Sequence, residues 1–411
     1  MDQKRIEQLL AFHRAGLLEN TIPFWLKYAI DKECGGFFNY IDYDGSVIGK
    51  DKSVWVQCRF TWLLSMLYNN VEKKTDWLEL AGHGLDFIRK HCFDTDGRMF
   101  FEVTRDGRPI RKRRYVFAEA FGVLAFSEYA LAAKDEQALE SAEKLYKLLI
   151  HYYHNPELLP PKEYPHTRQS KSHAMPMIML AVSQQIRKAS ANQLYEDIID
   201  ASLKEVFEDF MHYDVKALLE TVGQNGEILE GPDGRCVNPG HAIETSWFIM
   251  EESRVREDRE LLEKASLILD WSLDLGWDEE FEGIKYFVDI EGKPPLQYEH
   301  DMKLWWPHNE SIYACLLAYY LTGKKKYADW YERIHKYAYS HFPDAKNGEW
   351  FKYLHRDGTV SSTIKGNRWA GPFHLPRMQF NCWKLLEQMK RSFKISANVD
   401  DAKGTIVKRL Q

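Results

Sequence analysis

Four histidines stand where strongly apolar helical runs begin: His173, His241, His308 and His374. Taken singly, any of the fifteen histidines reads more simply as a structural or solvated side chain. Position changes that weighing, because other titratable groups keep the same company. Arg59 falls in the first turns of one apolar run, Glu119 in another, Glu244 and Glu310 in two more, and Arg377 in the last. Polar groups at the mouths of apolar helices are costly to bury without a partner or a task. One task is structural, with arginine and glutamate pairing to hold the helices together. The other is chemistry. Histidine, with an unperturbed pKa near 6.5, offers acid and base forms at neutral pH. Two of them on opposite sides of a carbon next to a carbonyl can take a proton from one face and return one to the other, which inverts that centre. The enolate formed between the two steps carries negative charge on oxygen, which a fixed arginine such as Arg59 or Arg377 would stabilise.

Three strings concentrate these groups: Asn238-Pro239-Gly240-His241-Ala242-Ile243-Glu244, Trp305-Trp306-Pro307-His308-Asn309-Glu310 and Gly371-Pro372-Phe373-His374-Leu375-Pro376-Arg377. His241 and Glu244 are three apart, on one face of a helix, a spacing that also suits a metal. No HExxH and no cysteine or carboxylate cluster at ligand spacing supports that reading, so no metal is expected. No phosphate-cradling glycine loop and no strand-GxGxxG-helix unit is present either.

The elements that must carry these groups repeat along the chain. Aromatic-rich strands meet tight turns at Asp44-Gly45, Asp106-Gly107 and Asp357-Gly358, with weaker copies at Asn225-Gly226 and Glu291-Gly292. Such pairs flanked by β-forming residues predict hairpins. Apolar helical runs follow, starting near Val54, Val116, Ala174, Ala242, Ser311 and Leu375. Between them lie helices over 135–152, 192–210, 258–275 and 325–341 with an apolar stripe and charges elsewhere, the pattern of a surface helix. About twelve helices, alternately outer and inner, predict an all-α fold: an (α/α)6 barrel with short β-hairpins at one end. Closure is favoured over an open solenoid because neither end carries a polar capping repeat. No linker splits residues 1–411, so a single catalytic domain is expected, with a loose C-terminal tail from about 396.

Bulk properties narrow the partners. The 411 residues carry a net charge of −6, which gives no reason to expect nucleic acid or an acidic membrane. No apolar run approaches the roughly 20 residues of a membrane span. The N-terminal Met1-Asp2-Gln3-Lys4-Arg5 leads into an amphipathic stretch and not a signal sequence. Six scattered cysteines without a CxxC pair read as buried thiols in a reducing, cytoplasmic compartment. Thirteen tryptophans within 14% aromatic residues serve either a large core or the stacking of sugar rings.

Across nearly its whole length, and most tightly at the three strings and at Ser53-Val54-Trp55-Val56-Gln57-Cys58-Arg59, the sequence resembles the N-acylglucosamine 2-epimerase (renin-binding-protein-like) family. The resemblance implies an (α/α)6 barrel that interconverts N-acetylglucosamine and N-acetylmannosamine through the open-chain sugar. It implies His241 and His374 as the acid–base pair, with Arg59, Glu310 and Arg377 essential around them. Substrate contacts are expected from Glu119, His173, Glu244, Trp305, Trp306, His308 and Asn309. No cofactor is required for the chemistry, and ATP stays open as an activator that is not consumed. Relatives include cellobiose 2-epimerases and mannose-type aldose–ketose isomerases, which differ around Trp-Trp-Pro-His-Asn-Glu. One stretch departs from the family: Lys365-Gly366-Asn367-Arg368-Trp369-Ala370-Gly371 stands where many members carry a Lys-Gly-Gly-Pro-Phe-Lys-Gly-like run. It leaves the histidine pair untouched and bears on the N-acetyl preference. An inverting glycosidase would need two carboxylates about 6.5–9.5 Å apart, and the strings are richer in histidine. A purely protein-binding role would leave the clustered titratable groups without purpose. A homodimer is expected from base rates.

Overall fold

The apolar runs form helices buried nearly all round in their first turns. They are α3 (Val54–Asn70), α5 (Phe117–Ala133), α7 (Ala174–Ile186), α9 (Pro239–Arg256), α11 (Trp305–Thr322) and α13 (His374–Arg409). In α11 every residue from Trp305 to Ala318 is buried. The striped segments form α4 (Thr75–His91), α6 (Glu136–His154), α8 (Gln193–Glu205), α10 (Arg259–Gly276) and α12 (Lys325–His341). These bury only one face, as α12 does with Tyr327, Tyr331, Ile334 and Ala338. Two further helices precede them, α1 (Gln3–Ala15) and the short α2 (Ile22–Tyr28). The computed structural model describes residues 1–164 and 166–409, with side chains as far as residue 392. The tail expected from about 396 lies outside the residues whose side chains are described.

Consecutive inner helices pack side by side from α3 to α13, each backed by an outer helix. The ring closes through the sequence just before α13. Phe373 meets Trp62 of α3 edge-on at 5.3 Å between ring centres, and Ile41 bridges to Gly366. The sixth outer position is filled from the other end of the chain, by α1 packed on α13. Arg5 pairs with Glu332 of α12 at 2.6 Å, and the amino terminus donates to Tyr319 of α11 at 2.8 Å. That contact between the ends is what an open solenoid would lack.

Local signals set the helix starts. Asp2, Asp135, Asn192, Asn238 and Asp258 each accept a backbone N–H of the first turn. Pro239 occupies the first helical position of α9, where its missing N–H costs nothing. Hence α9 begins a few residues before the expected Ala242; α11 also starts before the expected Ser311, without a side-chain cap.

Three of the five expected hairpins form: Tyr40–Ile41 with Val47–Gly49, Glu102–Val103 with Pro109–Arg111, and Tyr353–Leu354 with Val360–Ser362. The other two turns are not hairpins. Thr221–Gly223 pairs with Ser170–Ser172, and Glu227 folds its carboxylate back onto the Asn225 N–H at 2.9 Å. Val288–Asp289 pairs with Cys236–Val237, because the chain after Gly292 runs into Pro294 and Pro295, which lack donors. The strands that lead into α3, α7, α9 and α11 each pair with a strand lying just beyond the following outer helix. All this β structure therefore sits at the end of the barrel where the inner helices begin.

Candidate active site

Side chains on a helix return to the same face every three or four residues. The inner helices use that period to line one cavity of about 570 Å³ at their N-terminal end. Trp55 and Arg59 face it from α3, Phe117, Phe121 and Leu124 from α5, and Met177 and Ala181 from α7. His241, Glu244 and Phe248 follow from α9, Trp305 and Trp306 from α11, and His374 and Arg377 from α13. The departing stretch contributes Trp369, the loops add Tyr286 and Glu299, and the last hairpin adds Tyr353. The wall is thus a ring of flat apolar faces broken by a few charged groups, the composition that suits a sugar's C–H faces and hydroxyls.

His374 is buried, and its Nδ1 lies 2.7 Å from Glu310 Oε1. A carboxylate only accepts, so the proton sits on Nδ1 and Nε2 carries a lone pair. Trp247 holds the other Glu310 oxygen through its indole N–H at 2.8 Å. Arg377 lies 2.8 Å from Glu310 Oε1 and also bonds Glu244. Burial pushes the His374 imidazole well below its ordinary pKa; Glu244 works against that, and the Arg377 and Arg59 charges reinforce it. The ring is neutral at neutral pH.

His241 also sets its Nδ1 against a glutamate, but its pKa moves the other way. It is half-buried, its own N–H is capped by Asn238 at 3.0 Å, and its Nδ1 lies 3.1 Å from both oxygens of Glu220. Burial alone would lower its pKa, but the Glu220 carboxylate outweighs burial and the pKa is raised. Burial in turn pushes the Glu220 carboxyl up, and the neighbouring imidazole more than offsets this and leaves it lowered. The two histidines flank one indole: Trp306 lies 5.1 Å from the His241 ring and 5.6 Å from the His374 ring. Two titratable groups with pKa values driven apart in one cavity are the arrangement of an acid and a base.

Arg59 is buried among Trp55, Phe121 and Phe373, with the guanidinium carbon 4.0 Å from the Phe121 ring centre. Burial lowers its pKa to about 9, against a raising effect of Glu244. It stays cationic at neutral pH. Its Nη1 donates to the Trp369 carbonyl at 3.1 Å, and its Nε has no partner among the described residues. A fixed, poorly solvated cation of this kind is an effective stabiliser of a developing oxyanion. Glu244, Glu310 and His374 are the one group among the described residues whose metal-ligand atoms lie within 4.8 Å of one another. The Arg377 guanidinium already bonds both carboxylates, so a cation there would have to displace it.

Of the expected site residues, His241, His374, Arg59, Arg377, Glu244, Trp305 and Trp306 line the cavity, and Glu310 stands directly behind His374. Four do not reach it. His308 is two residues from both Trp306 and Glu310, which turns it about 200° away from their face. Its Nε2 accepts the Ile284 N–H at 2.9 Å and its Nδ1–H donates to the Leu304 carbonyl at 2.7 Å. Burial pushes it down to about 3. Asn309 is fully buried beside it and is outside the lining. Glu119 is likewise two residues from Phe117 and Phe121, and it holds Arg98 Nε and the Met99 N–H, both at 2.9 Å. His173 sits just before α7 with Nε2 at 3.0 Å from Thr245 Oγ1, and its backbone N–H donates to the Glu220 carbonyl. It supports the residue that supports His241.

Glu220 was missed from the sequence. It ends the Leu218-Leu219-Glu220 run, outside any helix and without periodic partners. A single acidic residue in an otherwise apolar β segment was the available signal.

The N-acylglucosamine 2-epimerase (GlcNAc 2-epimerase) family matches residues 36–374. The chain is 33% identical to the N-acylglucosamine 2-epimerase of Bos taurus, over 90% of each chain. It is 23% identical to the cellobiose 2-epimerase of Eubacterium cellulosolvens, over 90% of this chain and 96% of that one. The solved cellobiose 2-epimerase of Bacillus thermoamylovorans B4167 shares the fold, with a TM-score of 0.81 at 24% identity over 93% of this chain and all of that one. Because the match runs from the first hairpin to the last cavity histidine, the chain belongs to the N-acylglucosamine 2-epimerase family.

Proposed function

We propose that the protein interconverts N-acetylglucosamine and N-acetylmannosamine by moving a proton at C2 of the open-chain sugar. The observation that carries this is the opposed pair in one cavity: a neutral His374 with a free Nε2 and a His241 biased toward imidazolium by Glu220. The C1 aldehyde makes the C2 proton acidic. His374 Nε2 takes that proton, and the C2–H electron pair moves to form the C1–C2 double bond of an enolate. Arg59 and Arg377 stabilise the charge on O1. His241 then donates its proton to the other face of C2, and the carbonyl re-forms. The pair ends with the proton on His374, so the reverse reaction uses the same groups in exchanged roles.

The N-acetyl sugars are favoured because the named acylglucosamine relatives are more similar than the cellobiose 2-epimerases. No cofactor enters these steps. The proposal includes a cytoplasmic location, which six free thiols, five of them buried, suit, and a homodimer. No helix among the described residues is long and apolar enough to cross a membrane.

The test is kcat/KM for N-acetylglucosamine, N-acetylmannosamine, mannose and cellobiose, each with and without ATP. Turnover of the N-acetyl pair well above the other two is expected; a higher rate with nucleotide would make ATP an activator. Fructose from mannose, or a new epimer from cellobiose, with the N-acetyl sugars untouched would overturn the substrate assignment.

A further inference from the structure

The inward faces of the inner helices continue past the site. One to two turns further along they enclose a second cavity of about 800 Å³ at the opposite mouth of the barrel. Leu124, Ala181, Phe248, Phe373 and Arg377 line both cavities and form the wall between them. Its size is within the range of small-molecule sites, roughly 300–1,000 Å³.

The lining has a definite chemistry. Side-chain amides of Asn69, Asn70, Gln184, Gln185 and Asn381 line it. The first four already donate N–H groups to protein acceptors, so they offer a ligand mainly their carbonyl oxygens, while Asn381 can both donate and accept. The buried and half-buried charges are already answered within the protein. Glu128 accepts from Asn69 at 2.7 Å and from Gln185 at 2.6 Å, Arg187 pairs with Glu252 at 2.9 Å, and Glu251 is held by Tyr313 and Arg254. Lys188, at the exposed rim, is 3.5 Å from the Gln185 amide oxygen. The indoles of Trp62 and Trp247 contribute flat faces, and the buried Trp62 N–H has no partner among the described residues. Little uncompensated charge is left to draw an ion. Amides beside indoles instead suit hydroxyls and C–H faces together.

We propose that this opposite mouth is a second binding site, for a neutral polyhydroxylated molecule of about monosaccharide size. Its floor is the machinery behind His374, since Trp247 and Arg377 both bond Glu310. A ligand there would therefore touch the groups that hold the base.

The test uses the full chain labelled with 5-fluorotryptophan, with fluorine resonances assigned from Trp62→Phe and Trp306→Phe. N-acetylglucosamine and glucitol are titrated in turn. Trp62 reports the second cavity and Trp306 the first. The expected result is a saturable shift at Trp62 that disappears in Asn381→Trp, which fills the second cavity, while Trp306 behaves as in the wild type. Should that variant not fold, Leu131→Trp at the exposed rim serves as the plug. A Trp62 resonance that does not move, or whose shift survives the plug and follows the Trp306 curve, overturns the proposal. The first cavity is read separately, so failure of the substrate assignment would leave this outcome legible.

Discussion

Glu220→Gln removes one charge and almost no volume from the site. In the wild type both carboxylate oxygens lie 3.1 Å from His241 Nδ1, and the carboxylate raises that histidine's pKa against the effect of burial. The sign follows directly. A raised pKa keeps the imidazolium present to higher pH, so loss of the charge moves its deprotonation to lower pH. A hydrogen bond to a charged partner contributes about 1.5–3 kcal/mol, which corresponds to about a 10- to 100-fold loss of imidazolium stabilisation. The pH profile of kcat/KM reports the free enzyme, and its alkaline limb follows the proton held on His241. That limb should move toward acid, and kcat/KM above it should fall about 10- to 100-fold. The acid limb, governed by a second protonation of the histidine pair, should stay in place. The assay is the epimer ratio followed across pH for wild type and variant, with circular dichroism to confirm folding. An alkaline limb that does not move, or movement of the acid limb instead, would refute the assignment of His241 as the acid.

Other substitutions read the remaining parts. His374→Asn and His241→Asn should each abolish measurable turnover, since a positioned acid or base contributes about 10²–10⁴-fold, with the circular dichroism spectrum unchanged; full activity in either removes that histidine from the pair. Arg59→Ala should lower kcat by about 10²–10³-fold, the range for loss of an oxyanion donor, and a change confined to KM would argue against enolate stabilisation. His308→Leu should leave the Ile284 N–H without an acceptor at a cost of about 1–3 kcal/mol, lowering the denaturation midpoint while turnover at low temperature stays within a few-fold. Loss of turnover at unchanged stability would return His308 to the site.

The sequence told inner helices from outer ones because burial on all sides and burial on one side leave different patterns along the chain. It also brought the right strings to one end of the barrel, since His241, Trp305 and His374 all fall in first turns. What it could not supply was rotation. His308 and His241 both stand near the start of an inner helix, yet a difference in register turns one to the cavity and the other to the Ile284 backbone. Glu119 is lost to the site for the same reason. Glu220 was illegible because its place is set by strand pairing between 170–172 and 221–223, distant in sequence and only three residues long. The two failed hairpins share that cause: a turn dipeptide fixes a local bend, while the partner strand is chosen by the barrel.

Proton transfer at one carbon by two groups on opposite faces requires solvent exchange at that carbon alone. Proton NMR of N-acetylmannosamine incubated with the enzyme in D₂O tests it most directly. Growth of N-acetylglucosamine signals with deuterium entering at C2 and none at C1 is the predicted result. Epimer formed without deuterium at C2, or label appearing at C1 with a ketose as product, would contradict the account.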